Sequence, residues 1–169
     1  MKNLLIVLFL IGGLNGFSQN DKSHLEKETK ETLDWINSKF IEHQFESSDT
    51  KQVQSFKEVK EIDGQSYLIG EHIQDTDKGW GFSRLFFIPI EKINSITFVD
   101  KPSNIWLVIR MKENEKAVLE IRHGENWTKL DNFNFILAKS IDHDDLRPRI
   151  KKAFNYLMKL YGNNTEEKF

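Results

Sequence analysis

The sequence predicts an α+β fold: an N-terminal helix, then about seven antiparallel strands forming a bent sheet or partly open barrel, closed by a C-terminal amphipathic helix. Three observations predict it. Apolar residues recur at steps of three and four over 25–40 and again over 146–161, the spacing of helices with one buried face. From Phe56 to Ala138 the apolar residues instead alternate or form short runs. Turn residues separate those runs at short intervals, which predicts an antiparallel meander.

The first eighteen residues stand apart from that fold. Lys2 gives a basic start, Leu4 to Leu14 is an almost unbroken apolar run, and Gly16 and Ser18 are small residues spaced for a signal peptidase. The run is too short for a permanent bilayer anchor. The expected organisation is a signal peptide over 1–18, a single α+β domain with its N-terminal helix over 19–162, and a frayed tail over 163–169.

Leu25, Thr29, Leu33, Ile36 and Phe40 share one face of the first predicted helix, with Trp35 and Ile41 widening it. Ser23 with Glu26 three later has the form of a capping box. Ser47 to Thr50 forms a linker or the mouth of a strand. Asp63-Gly64 is the best hairpin turn in the chain, because both residues tolerate positive φ. Tyr67, Ile69 and Ile73 follow as a strand, and Asp75 to Gly79 as a polar turn. Trp80, Phe82, Phe86 and Ile88 alternate next, interrupted by Arg84, and Pro89 closes that strand. Further strands are predicted at Ile93–Val99, at Ile105–Met111, at Val118–Ile121 and at Phe133–Leu137, with His123 to Asn126 as a turn. In the strand over 105–111, Ile105, Leu107, Ile109 and Met111 share a face, with Trp106, Val108 and Arg110 opposite. In the closing helix, Leu146, Ile150, Ala153, Phe154, Leu157, Leu160 and Tyr161 form the apolar face. Asp144 or Asp145 is placed to cap it, Pro148 sits in its first turn, and Gly162 is placed to end it in a left-handed cap.

Composition narrows the function classes. The chain carries 24 basic against 26 acidic residues and a net charge of −2. That balance exerts no long-range pull on nucleic acid or anionic lipid. No later apolar run is long enough for a transmembrane helix. The absence of cysteine excludes a cysteine nucleophile and thiolate metal sites. With the signal it favours a bacterial periplasm, or secretion, over a disulfide-rich extracellular setting.

A bent sheet over Phe56 to Ala138 sealed by a helix over Asp145 to Tyr161 resembles the pleckstrin-homology-like fold. The strings Leu33-Asp34-Trp35-Ile36-Asn37 and Arg149-Ile150-Lys151-Lys152-Ala153-Phe154 are similar to those of small exported bacterial proteins of no assigned activity. Lipid-binding members of the pleckstrin-homology-like fold hold inositol phosphates with Lys and Arg at the first hairpin. Here that region reads Lys57-Glu58-Val59-Lys60-Glu61-Ile62-Asp63-Gly64, and its acids cancel its bases, which argues against an inositol lipid ligand.

The candidate chemistry is sparse. Asp142, His143, Asp144 and Asp145 are the densest set of possible metal ligands, but they stand where a helix cap is required. Asp75-Thr76-Asp77-Lys78-Gly79 starts like a calcium loop and lacks its later ligands. The five histidines, His24, His43, His72, His123 and His143, form no paired-ligand spacing, and no G-x-S-x-G elbow exists. Gly79-Trp80-Gly81 lacks the ending of a phosphate loop. No catalytic, cofactor or metal residue is assigned, and no cofactor is expected. Trp80 and Trp127 border turns with polar neighbours and are the candidates for an interaction surface. The reading that results is a non-catalytic binding or interaction module of the cell envelope. Its expected partner is a protein or peptide, received at a sheet edge or beside the closing helix, unless the N-terminal helix covers that groove. A metal-dependent or hydrolytic enzyme, with Asp142, His143 and Asp144 as its first suspects, and a carrier of a small apolar ligand are the alternatives.

Overall fold

The computed structural model describes residues 2–46, 50–76, 82–122 and 126–163, with side chains of the first helix described from residue 22 onward. One helix, α1 (Lys2–Glu42), precedes eight strands: β1 (Thr50–Ile62), β2 (Gln65–Thr76), β3 (Phe82–Pro89), β4 (Ile93–Asp100), β5 (Ile105–Met111), β6 (Val118–Arg122), β7 (Asn126–Leu130) and β8 (Asn132–Leu137). A second helix, α2 (Leu146–Leu160), follows. The strands form two antiparallel sheets, one ordered β1-β2-β3-β6-β7 and the other β4-β5-β8. The expected α+β class with a helix at each end of an antiparallel β region is therefore present, and the sheets do not close into a barrel.

The Asp63-Gly64 turn forms as its residues dictate. Ile62 pairs with Gln65, leaving a two-residue loop with φ of 51° and 74°, the left-handed pair that matches strand twist. Strand count and order differ from expectation. β7 is an added strand, because Asn126-Trp127-Thr128-Lys129-Leu130 carries too few apolar residues to stand out, and Asn126 starts the strand instead of closing a turn. Nor is the sheet a simple meander: β3 pairs with β6, and β5 with β8. Single-turn 3-10 segments at Ile90–Lys92 and Lys112–Asn114 re-aim the chain, so the β4–β5 hairpin leaves the first sheet and founds the second. Glu113 takes φ 52° in the second corner, and Lys112 Nζ donates to the Glu91 carbonyl at 2.6 Å, tying the two corners together.

The core lies between the sheets and both helices. Thr29, Leu33, Ile36 and Phe40 of α1 are buried, and Leu146, Ile150, Phe154, Leu157 and Met158 of α2 meet them. Aromatic rings fill the centre: Phe40 and Phe56 each lie 4.7 Å from Phe135, and Phe86 lies 4.4 Å from Phe133, centroid to centroid. Ile41, expected on the sticky side of α1, is instead 65% exposed. α1 runs unbroken through Ser23 and Glu26, so no helix start lies there.

α1 also protects the edge of β1. A bulge between Phe56 and Glu58 frees the Phe56 peptide group, and the Asn37 amide takes both halves of it. Its Oδ1 accepts from Phe56 N–H at 2.9 Å and its Nδ2 donates to Phe56 C=O at 2.7 Å.

The start of α2 corrects the capping expectation. Asp144 and Asp145 both have left-handed backbones (φ 55° and 53°), and Asp145 makes no side-chain cap. A capping side chain needs an extended backbone to reach the first free N–H groups. Arg147 organises the junction instead, bonding Asp100 Oδ1 at 2.7 Å and Oδ2 at 3.0 Å, with Asp142 as its second partner. The other end is as expected. Gly162 takes φ 77°, its N–H reaches Lys159 C=O at 3.1 Å, and Asn163 N–H reaches Met158 C=O at 3.0 Å, a Schellman arrangement. Asn163 itself is buried, so ordered packing reaches one residue past Gly162.

Candidate functional site

Among the described residues, two concavities bear on a site. The larger, about 560 Å³, is a trough between α1 and α2. Its side chains are engaged with one another. The Arg149 guanidinium lies 5.6 Å from the Trp35 ring centre, and a hydrogen bond to Glu28 raises the pKa of the Tyr156 phenol. α1 thus lies along the groove beside the closing helix.

The second, about 330 Å³, opens between the inner face of the first sheet and the edge of β8, and it is built differently. Register explains it. Gln54 on β1 stands opposite His72 on β2, and His72 opposite Arg84 on β3, so three polar residues cross the sheet in one row. The next row inward is Phe56, Gly70, Phe86 and Glu120. Glu120 therefore sits where a core residue belongs, and the residue as a whole is 1% exposed. Arg84, diagonal to it across β3 and β6, brings Nη1 to 3.2 Å from its Oε1. Isolation of a carboxylate from water is costly without such a partner.

His72 completes the row. Burial, and next the Arg84 guanidinium, push its pKa below the ordinary 6.5, against a smaller opposing pull from Glu120. The imidazole is therefore neutral at pH 7. Gly70 beside it leaves room for the rings: a Cβ there would lie 3.2 Å from Phe133 Cζ.

The far wall is β8, the edge of the smaller sheet. Alternation along it turns Phe133, Phe135 and Leu137 into the core and leaves Asn132, Asn134 and Ile136 half-buried. The amides form a chain: Asn134 Nδ2 donates to Asn132 Oδ1 at 3.0 Å, and Asn132 Nδ2 donates to Asp131 Oδ1 at 2.6 Å. Gln54 Oε1 accepts the Ile136 N–H at 2.8 Å and joins the two sheets across the inner end of the cleft. Trp106, opposite Ile136 on β5, closes one side. Lys101 Nζ lies 4.8 Å from its ring centre, and the Trp106 indole N–H is buried with no hydrogen-bond partner among the described residues.

The sequence candidates fall elsewhere. Trp80 lies outside the described residues, as do Asp77 to Gly79, Gly81 and His123. The backbone of Trp127 lies in β7, and its side chain is outside the described set. Asp142 is bound to Arg147, and His143, Asp144 and Asp145 are exposed. Among the described residues, no three acidic or histidine side chains are grouped so as to hold a metal ion. His43 Nδ1 lies 2.9 Å from Ser140 Oγ, a structural contact between the end of α1 and the approach to α2.

Sequence reasoning missed Gln54, Glu120, Asn132 and Asn134. One signal for the cleft was present: Arg84 shares the alternation of the buried Phe86 and Ile88, so a buried partner was implied. In comparisons with known proteins, no family model, no curated protein and no solved structure matches this chain. Among the described residues, no helix is long and apolar enough to cross a membrane.

Proposed function

We propose that this protein is an exported, non-catalytic binding module of the bacterial envelope, and that it takes a small polar ligand in the cleft between its two sheets. One observation carries the reading: Glu120, nearly inaccessible, is held by Arg84 beneath an open recess ringed by amides and a neutral imidazole. Natural cores seldom retain a buried charge pair where an apolar pair would pack as well, and one at the base of a recess is a site feature.

The lining supports binding over catalysis. Among the described residues it contains no serine, threonine, lysine, tyrosine or cysteine to act as a nucleophile, and its carboxylate is already engaged by a guanidinium. The size and the edge chemistry support a small ligand over a peptide strand. The Ile136 N–H is occupied by Gln54 and the Ala138 N–H by the His43 carbonyl, so the inner end of the β8 edge is already paired. A centre filled with phenylalanine rings supports no apolar cargo. The signal-like first eighteen residues support export. The sealing of a bent β layer by a C-terminal helix supports likeness to the pleckstrin-homology-like architecture, although the β3–β6 pairing is not that of a meander. The balanced first hairpin supports no inositol lipid.

Amide shift mapping tests the reading. Separate titrations with neutral sugars, dipeptides and small carboxylates are expected to include one class that moves resonances of His72, Arg84 and Asn132–Ile136 and leaves the α1–α2 trough unchanged. No response at the cleft from any of the three classes would remove it.

A further inference from the structure

The chemistry of the cleft, taken with the proposed binding role on which this inference rests, points to a narrower ligand. We infer that the recess between β8 and the first sheet is a subsite for a neutral saccharide.

Charge argues first. Arg84 is spent on Glu120, and His72 is neutral at pH 7, so the described lining presents no net charge. An anionic ligand drawn to Arg84 would bring its charge against the Glu120 carboxylate, and a cationic one would face the guanidinium. A ligand rich in hydroxyls meets neither penalty.

Hydrogen-bond type argues second. A hydroxyl both donates and accepts, and its natural counterpart is a planar amide, which does the same from adjacent atoms. The recess has three. Gln54 spends its oxygen on Ile136 N–H, and its NH₂ group has no hydrogen-bond partner among the described residues. Asn134 spends one N–H on Asn132 and keeps its oxygen. The Asn134–Asn132–Asp131 chain ends on a carboxylate, which polarises each amide in the direction that strengthens the Asn134 oxygen as an acceptor.

The wall argues third. Trp106 supplies an aromatic surface of the kind that packs on the C–H face of a sugar ring, and its buried indole N–H lacks an acceptor that a ring hydroxyl would provide. A volume of about 330 Å³ lies at the lower end of small-molecule sites, the scale of one or two sugar rings.

The test is a calorimetric and NMR titration of the protein with three sets of probes. The neutral arm is glucose, mannose, galactose, N-acetylglucosamine and their disaccharides. The charged arm is glucuronic acid and glucose 6-phosphate. The third arm is alanyl-alanine and related dipeptides. The expected result is saturable binding in the neutral arm, with a shift of the Trp106 indole N–H resonance, assigned by its loss in Trp106→Phe. Asn134→Ala and Trp106→Phe should each weaken that binding by about tenfold while thermal unfolding stays cooperative. Binding at the cleft by the charged or dipeptide arm alone overturns the saccharide assignment and leaves the binding role standing. Silence in all three arms overturns both. Saccharide binding that Asn134→Ala and Trp106→Phe leave intact also overturns this inference, since the sugar would then sit elsewhere.

Discussion

Arg84 and Glu120 approach to 3.2 Å on neighbouring strands, with the glutamate side chain 2% exposed and the arginine side chain 28%. That asymmetry decides which partner depends on the other. Arg84 retains contact with water, whereas Glu120 has lost nearly all of its hydration and keeps the Arg84 cation beside it. Arg84→Ala is therefore expected to destabilise the fold by about 2–3 kcal/mol, below the figure for a fully enclosed pair because solvent reaches the arginine. Glu120→Gln keeps the shape and removes the buried charge, so it should cost about 1 kcal/mol. Urea unfolding followed by circular dichroism measures both. Equal losses from the two variants would mean that the carboxylate is not the dependent partner.

Gly70 is where the sheet and the ring cluster compete for space. Its Cβ position is 3.2 Å from Phe133 Cζ and 3.7 Å from Phe56 Cε1, and Phe133 is itself wedged 4.4 Å from Phe86. Gly70→Ala should therefore cost about 1–2 kcal/mol through overpacking, and Gly70→Val more. The companion change Phe133→Leu opens the site, and the double variant should lose less than the two single losses added together. Strict additivity in the unfolding free energies would rule out the contact as the cause.

Legibility in the sequence followed the range of the physics. Helix faces, the Asp63-Gly64 turn, the Gly162 cap and the inward faces of β5 and β8 are local, and each was readable from spacing or from one residue's backbone freedom. Strand partners were not, because nothing within Phe82–Pro89 says that β6 lies beside it; two 3-10 corners far apart in sequence decide that. β7 was invisible for want of apolar residues. The cleft was half visible. Arg84 signalled a buried partner, but Glu120 stands between Leu119 and Ile121 and reads locally as an ordinary surface acid. Only the β3–β6 register turns it inward.

His72 gives the cleft a pH signature. Burial and Arg84 lower its folded pKa below 6.5, so between the folded and unfolded values the unfolded chain binds more protons than the folded one. Stability from this group is complete above about pH 6.5 and declines as pH falls toward its folded pKa. His72→Gln should flatten that part of the stability curve relative to the parent while leaving stability at pH 8 little changed. Chemical unfolding at half-unit steps from pH 8 to 5 checks it. A parent curve that rises as pH drops through 6 would reverse the sign and dismiss the neutral imidazole.

Asn163 joins the end of α2 to the first corner of the chain. Its Nδ2 donates to Ile90 C=O at 2.6 Å and to Ile93 C=O at 3.0 Å, while its own N–H completes the helix cap on Met158. The side chain is buried, so water cannot replace those bonds when it is removed. The corner it holds is the one that sends β4 into the second sheet. Asn163→Ala should cost about 2 kcal/mol, because two carbonyls lose a buried donor and Ile90 C=O is left to the Ile93 N–H of its own turn, and Gly162→Ala about 1 kcal/mol through the left-handed backbone alone. Hydrogen exchange separates the two effects. Asn163→Ala should speed exchange at the Ile90–Ile93 corner and in β4, whereas Gly162→Ala should act on the last turn of α2. If both variants loosen only the helix end, the corner is held by its own 3-10 turn and by Lys112, and the asparagine is no more than a cap.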